Sequence, residues 1–143
     1  MNPVAELLNR DGRSWDGGKP ATEEQISKLV EETGFDWPEA LLNLWRYSNG
    51  GEGELALPPM WFALPNTEEV HQLNVDCNFD GDYSDLQFFG TNGGMETIGL
   101  DTRKPNRPVF MIDLIEGIDS LEYIADDAWE FVKAIGLEYD ENA

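Results

Sequence analysis

The sequence predicts an α+β fold, with an antiparallel sheet of about five strands packed against helices. One reason is a β-hairpin at residues 86–101, in which two apolar, strand-forming runs flank a glycine-rich loop. Asn92-Gly93 in this loop accepts positive φ at little cost. A two-stranded ribbon alone is marginally stable in water, so neighbouring strands must complete a sheet. The other reason is the order of the patterns, because helices come first, then a run of strands, then a last helix.

Capping signals followed by apolar residues at helical spacing predict the helices. A short helix is expected at residues 4–9, with Val4 on its apolar side. Thr22 and Gln25 match a capping box at the start of the next helix, which Gly34 ends. The third helix is predicted to begin with Trp37-Pro38 in its first turn and to end at residues 48–51. The fourth is predicted to begin at residues 66–69 and to run through Leu73. The last is predicted to begin at Asp126 or Asp127 and to end at Gly136.

Short apolar runs rich in strand-forming residues predict the strands beside the hairpin. They lie at residues 54–57, 60–64 and 108–114. Residues 11–18 are predicted to form a loop that Trp15 anchors onto the body of the domain. Four tryptophans mostly occupy positions that are expected to face the core: Trp37, Trp45, Trp61 and Trp129.

The length and composition predict one folded domain over residues 1–143, with residues 1–20 as an N-terminal arm and residues 137–143 as a frayed tail. Hydrophobic residues make up 41% of the chain, which favours a folded core over disorder. The chain has a single cysteine, Cys77, which excludes an internal disulfide framework and suits a reducing compartment. Neither an export signal nor a run of ~20 apolar residues is visible, so a cytoplasmic location is expected.

The charge is strongly acidic. Twenty-nine Asp and Glu oppose nine Lys and Arg, for a formal net charge of −20. Such a surface repels nucleic acid and anionic lipids, so neither is expected as a partner. A basic protein is attracted, with faster association at low salt. The alternative, that the charge serves solubility alone, stays open at this stage.

The residue set argues against an enzyme and against a bound cofactor. His71 is the single histidine, so zinc sites built on Cys and His and Ser-His-Asp arrangements lack their members. Acidic neighbours disfavour the thiolate of Cys77, which makes a reactive nucleophile unfavourable. Glu96 is expected to be half-buried with a raised pKa, and to pair with Arg103 or a backbone donor.

The most suggestive motif is an acidic stretch at residues 76–87. It begins as a calcium loop does, with oxygen donors in alternate positions: Asp76, Asn78, Asp80 and Asp82. The last position, usually a bidentate glutamate, is Gln87, and a strand rather than a helix follows. These departures favour a solvated acidic loop over a calcium site, so no metal is predicted. The residues predicted to contact a protein partner are Glu52, Glu54, Asp76, Asp80, Asp82, Asp85 and Trp15.

Several motifs, in their order along the chain, resemble those of a known family. They are Thr22 to Gly34, Trp37-Pro38, Ser48-Asn49-Gly50-Gly51-Glu52-Gly53, Phe89-Gly90-Thr91-Asn92-Gly93-Gly94-Met95-Glu96, Asp101-Thr102-Arg103 and Pro108-Val109-Phe110-Met111. This set resembles the SUKH superfamily, which contains fungal regulators of cell-wall synthesis and bacterial immunity proteins of toxin systems. The likeness spans about residues 15–135.

The resemblance implies an antiparallel sheet flanked by helices, no catalysis, and binding to a protein. In immunity members the partner is a cognate toxin, often a nuclease, that is neutralised in the cytosol. A regulatory scaffold that binds cellular proteins is the alternative, and a weak calcium-binding protein is the third. The matching glycines carry over as turn formers: Gly50, Gly51, Gly90, Gly93 and Gly94.

Overall fold

The computed structural model describes residues 2–10, 12–78 and 80–140, which form one antiparallel sheet and five α-helices. The predicted α+β class is confirmed. The sheet has seven strands, so the prediction of about five was wrong. The predicted tail at residues 137–143 lies partly outside the described residues. The segment predicted as an N-terminal arm contains a helix and a strand that both pack on the body of the domain.

Five helices form at or close to the predicted positions, within a few residues at each end. They are α1 (Pro3–Leu8), α2 (Glu23–Thr33), α3 (Glu39–Tyr47), α4 (Val70–Cys77) and α5 (Ala128–Lys133). The capping box before α2 is complete, since Thr22 Oγ1 accepts from the Gln25 N–H at 3.1 Å and Gln25 Oε1 from the Thr22 N–H at 2.8 Å. Gly34 ends α2 with φ of 62°. Pro38 stands at the N-cap of α3, one position before the helix begins at Glu39, and not in the first turn as predicted.

The seven strands follow one another across the sheet in chain order. They are β1 (Trp15–Gly17), β2 (Gly51–Glu54), β3 (Trp61–Leu64), β4 (Leu86–Thr91), β5 (Glu96–Asp101), β6 (Val109–Asp113) and β7 (Glu122–Ala125). The hairpin β4–β5 is confirmed, with a register shift between Phe88 and Gly90. β1 and β7 were not predicted. β2 occupies residues 51–54 rather than the predicted 54–57.

The glycines of β2 allow a close approach of β1, so they are not only turn formers. A Cβ on Gly51 would lie 2.8 Å from the Asp16 carbonyl oxygen, and one on Gly53 would collide with the Ser14 carbonyl oxygen. Gly90 likewise lies within β4 rather than in a turn. Glycine is required there because the ring of Phe62 occupies the space that a side chain would need. The prediction that Gly90 forms a turn was therefore wrong.

The main core lies between one face of the sheet and the helices. Phe131 of α5 packs edge-to-face on Phe62 of β3 and Phe89 of β4, with ring centroids 4.9 and 5.3 Å away. Trp37 and Trp45 are buried, as predicted. The expectation for Trp129 was wrong, because its side chain is on the outer side of α5 and is 39% exposed.

A smaller apolar cluster covers part of the opposite face of the sheet. Its buried members are Cys77, Leu86, Phe88, Phe110 and Ile112, and Leu73, Tyr83, Leu114 and Leu121 pack around them. Neighbouring residues of a strand point to opposite faces, so β6 contributes Val109 to the main core and Phe110 to this cluster. Both faces of the central strands are therefore buried.

Asn74 of α4 takes the place of a strand neighbour for β4. β3 pairs with β4 through a single residue pair, Ala63 with Thr91, so the β4 backbone near Phe88 has a strand neighbour on its β5 side but none on its β3 side. The Asn74 amide nitrogen donates to the Phe88 carbonyl at 2.9 Å, and the Asn74 amide oxygen accepts from the Phe88 N–H at 2.7 Å. One carboxamide therefore satisfies both backbone groups of a fully buried residue.

We expect Asn74→Ala to lower the free energy of unfolding by roughly 2 kcal/mol, because it leaves the N–H and C=O of Phe88 without partners. The gain in helix propensity from alanine recovers only about 0.5 kcal/mol. Urea denaturation measures the difference. The matched control is Gln72→Ala on the same helix, whose exposed side chain bonds to Asp76. Equal losses in the two variants would contradict the role of Asn74.

Candidate functional site

Positive charge is absent from most of the chain that forms the sheet. The sequence has no Lys or Arg at residues 47–102 or at residues 108–132. Several basic side chains elsewhere are bound to acids: Arg46 to Glu23 and Glu39, Arg103 to Asp101, and Lys133 to Glu130. From β2 to β7, the loops of the sheet therefore lack Lys and Arg except for the β5–β6 connection, which carries Arg103, Lys104 and Arg107. That connection adjoins the acidic loop, because Thr102 Oγ1 donates to the Asp85 carbonyl at 2.7 Å.

The predicted acidic loop is ordered by its own hydrogen bonds. Asp76 is in the last turn of α4, and Asp80, Asp82 and Asp85 are exposed in the connection to β4. The Asn78 side-chain oxygen accepts from the Tyr83 N–H at 2.7 Å. The structure thus presents these carboxylates to solvent from a folded loop.

Hydrogen bonds engage oxygens of two of the four side chains that match the calcium pattern. The Asp76 carboxylate accepts from the Gln72 amide at 2.8 Å, and the Asn78 amide oxygen is held by the backbone. Within residues 2–10, 12–78 and 80–140, no group of three or more His, Cys, Asp or Glu side chains is arranged to hold a metal ion.

The other predicted contact residues lie on β1 and β2. Glu52 is exposed, and Glu54, two residues along β2, shares its face of the sheet. Trp15 is half-buried: its ring stacks on Phe62 at 6.0 Å, and its Nε1 donates to Ser48 Oγ at 3.2 Å. Trp15 therefore anchors β1 to the core and leaves only part of its ring for a partner.

The predicted acids fall into two groups rather than one patch. The register places Glu52 opposite Ala63, and Ala63 opposite Thr91. The acidic loop joins β4 at Leu86, five residues before Thr91. At about 3.3 Å per residue, the two groups are separated by roughly 17 Å along the strands.

A third surface, which sequence reasoning missed, lies where the hairpins β4–β5 and β6–β7 turn. We call residues 92–96 and 113–122 the hairpin end. Alternate connections of an antiparallel sheet in chain order lie at the same end, and the register pairs Glu96 with Asp113 at this end. Large apolar side chains point into solvent here: Met95 is 58% exposed, Ile115 82% and Ile118 49%.

Four carboxylates accompany these apolar residues: Glu96, Asp113, Glu116 and Glu122. Partial burial of Glu96, followed by the charges of the other three, raises the pKa of the Glu96 carboxyl. The raised pKa was predicted, but the pairing of Glu96 with Arg103 was wrong. Arg103 instead binds Asp101, with Nε and Nη2 both 2.9 Å from its carboxylate oxygens.

The sequence did carry a signal for the hairpin end. Leu114-Ile115-Glu116-Gly117-Ile118-Asp119 follows a strand and contains glycine, so it reads as a turn, yet three of its residues are large and aliphatic. Turns are usually polar. Apolar residues in such a turn either pack on the body of the domain, as the partly buried Leu114 does, or are available to a partner, as Ile115 and Ile118 are.

We expect Glu96→Gln to stabilise the domain at neutral pH by a few tenths of a kcal/mol, because it removes one of several like charges. The pKa of Glu96 is higher in the folded than in the unfolded state, so ionisation of this group destabilises the fold as the pH rises. The gain should therefore vanish below the unfolded pKa, where both forms are neutral. Melting temperatures at acidic and neutral pH measure this. A gain that is unchanged in acid would contradict the electrostatic cause.

Two further titratable groups with perturbed pKa values, Cys77 and Asp101, suit structure better than catalysis. Burial, with a smaller effect of Asp76, raises the pKa of the Cys77 thiol to about 11 and keeps it protonated. Hydrogen bonds from Arg103 and Tyr123 lower the pKa of the buried Asp101 carboxyl to about 2 and keep it ionised. A thiol of this kind is a poor nucleophile, and a carboxylate of this kind is a poor proton donor.

The fold and these surfaces define an α+β domain whose exposed acids and apolar loop residues suit contact with another macromolecule. The chain belongs to the SMI1 / KNR4 family (SUKH-1), whose family model matches residues 20–134. The resemblance to the SUKH superfamily is therefore confirmed. Membership suggests an immunity or a regulatory role, in a family that generally binds protein partners. No curated protein matches the chain. In the described part of the chain, none of the helices has the length and hydrophobicity to cross a bilayer.

Proposed function

We propose that this protein is a cytoplasmic immunity protein that binds a basic toxin domain, such as a nuclease, and neutralises it without catalysis and without a cofactor. The observation that carries the proposal is the acidic sheet surface, formed by two stretches of chain that lack Lys and Arg, residues 47–102 and 108–132. Family membership supports an immunity role. Such a surface attracts a positively charged protein and repels nucleic acid.

The proposed mechanism is occlusion. A nuclease holds the phosphates of its substrate with Lys and Arg side chains, and carboxylates on an inhibitor can pair with the same side chains. The acids predicted for this role are Glu52, Glu54, Asp76, Asp80, Asp82 and Asp85, with the exposed part of Trp15 as an apolar contact. Charge complementarity mainly raises the association rate, whereas buried apolar anchors slow dissociation.

Co-expression with the C-terminal domain of a secreted toxin encoded beside this protein tests the proposal. We expect growth of the producing cells to be restored and a complex to be purified whose affinity falls as salt rises. A toxin domain that stays lethal and forms no complex would overturn the proposal. A catalytically inactive toxin variant serves as the control, because it allows the complex to be measured without selection for growth.

The family also supports a regulatory scaffold that binds cellular proteins as the second candidate. This function predicts a housekeeping partner in pull-downs and no toxin domain encoded nearby. The third candidate, a weak calcium-binding protein, is not proposed, because the Asp76 and Asn78 oxygens are already engaged by Gln72 and Tyr83. Calorimetry with added calcium should accordingly show no binding heat.

A further inference from the structure

We propose that the hairpin end, rather than the loop between α4 and β4, makes the central contact with the partner. The partner surface that fits it is basic and has an apolar centre: an apolar patch receives Met95, Ile115 and Ile118, and surrounding Lys and Arg pair with the carboxylates. Where the partner is taken to be a toxin, this inference rests on the proposed function.

The hairpin end exposes a group of large apolar side chains. Ile115 is 82% exposed, Met95 is 58% exposed and Ile118 is 49% exposed. These residues are on two connections that the Glu96–Asp113 register brings together. Single exposed apolar residues are ordinary, but a group of them on adjoining loops, ringed by polar residues, is typical of a protein-binding surface.

Met60 extends this group on the neighbouring connection. It precedes β3, is 50% exposed, and has a left-handed backbone with φ of 74°. Trp61, the next residue, adjoins the β4–β5 loop, since a Cβ on Gly93 would lie 3.7 Å from the indole ring. The exposed apolar residues therefore continue across the β2–β3, β4–β5 and β6–β7 connections.

The carboxylates of the hairpin end indicate the chemistry of the partner. Glu96, Asp113, Glu116 and Glu122 are close enough for the last three to raise the pKa of the first. The groups that face Glu96 from its neighbours on the sheet are thus acids, and Arg103 is engaged with Asp101. Lys and Arg of a partner would relieve this repulsion, which makes a basic surface the complementary one.

In its described residues, the α4–β4 loop offers charge but fewer anchors. Among its described residues, 76–78 and 80–85, the apolar side chains are Cys77, which is buried, and Tyr83, which is half-buried against Phe88. Its exposed residues are mainly Asp, Gly and Ser. Charged rim contacts alter association rates more than affinity, so this loop suits the periphery of an interface.

Two synthetic peptides test the surface without any toxin. One alternates lysine and leucine, and the control alternates lysine and glycine with the same charge. In NMR titrations of the labelled protein, we expect the lysine–leucine peptide to shift resonances of residues 92–96 and 113–122 more than those of residues 80–85. The control peptide should show no such preference. Larger shifts at residues 80–85 with the lysine–leucine peptide would overturn the inference.

Charge-matched variants test the same surface with the toxin domain of the co-expression experiment. Glu116→Lys with Glu122→Lys, and Asp80→Lys with Asp82→Lys, reverse two exposed charges each and change the net charge equally. We expect the first pair to weaken binding by about a hundredfold and the second by about threefold. Ile115→Ser should cost about tenfold, whereas Val75→Ser, which alters an exposed residue of α4, should cost little.

The outcomes separate the inference from the function on which it rests. Equal or larger losses from the Asp80 and Asp82 pair, in variants that keep their melting temperatures, would overturn the inference and leave toxin binding intact. If the unmodified protein binds no toxin domain, the proposed function fails, and the peptide titration still decides which surface accepts a basic, apolar partner.

Discussion

Replacing Phe131 by alanine is expected to lower the free energy of unfolding by roughly 3–5 kcal/mol, the range for large-to-small changes at buried aromatic residues. Phe131 is fully buried and forms edge-to-face contacts with both Phe62 and Phe89. Its loss leaves a cavity between α5 and the sheet that neither rigid element can readily fill. Because small domains have only about 5–15 kcal/mol of stability, the variant should lose much of its margin.

The control for Phe131 lies two residues away on the same helix. Trp129→Ala removes a larger aromatic side chain from a position that is 39% exposed, so we expect a loss of about 1 kcal/mol or less. Guanidinium denaturation of the two variants measures the difference. If Phe131→Ala does not fold, Phe131→Leu keeps the test open with an expected loss of about 1–1.5 kcal/mol. A larger loss at Trp129 than at Phe131 would contradict the described orientation of α5.

Asp101→Asn is expected to cost roughly 2–3 kcal/mol at neutral pH, the range for hydrogen bonds to a charged group. The Asp101 side chain is fully buried, and it accepts from the Tyr123 hydroxyl at 2.6 Å and from the Arg103 backbone N–H at 3.0 Å, besides the guanidinium. An asparagine offers one acceptor oxygen and turns an N–H group toward a donor. Asp85→Asn, which alters an exposed acid with no comparable contacts, is the control.

The pH dependence of this variant follows from the pKa of Asp101, which is about 2 in the folded protein against an ordinary value of 3.8. A depressed pKa means that the ionised carboxylate stabilises the fold above the unfolded value, and that this contribution is lost as the pH falls through the folded value. The difference between the protein and Asp101→Asn should therefore be full above about pH 4 and shrink toward pH 2. A difference that stays constant over this window would contradict the assignment.

The helices and the central hairpin could be predicted because their signals are local. The Thr22–Gln25 capping box, the Asp127 N-cap and Gly136 each act on neighbouring backbone groups, and the structure contains all three. Local capping geometry depends on residues within one turn. Such elements can therefore be read from a single sequence.

The edge strands could not be predicted because their strand character comes from distant partners. β1 has three residues, Trp15-Asp16-Gly17, and its pairing depends on Gly51 and Gly53 lying opposite, some 36 residues later. Glycine in a short run indicates a turn when no partner is known. Glycine in β2 instead lets Trp15 cross close to the backbone and stack on Phe62.

The candidate surface was predicted only in part. An excess of acid is visible in composition, and the exposed carboxylates of residues 80–85 follow from a polar, glycine-containing loop. The hairpin end depends on the register between β5 and β6, which brings Met95 and Ile115 to the same end of the sheet. Register is set by tertiary packing, so sequence spacing alone could not join these residues.

The place of Phe131 has a consequence for how the protein is made. The strands pair in chain order, so the sheet can form progressively as the nascent chain leaves the ribosome. Its apolar face, with Phe62 and Phe89, lacks its central ring until α5 has been synthesised. Over that interval the unfinished sheet presents an open aromatic surface, which is the kind of surface that chaperones bind.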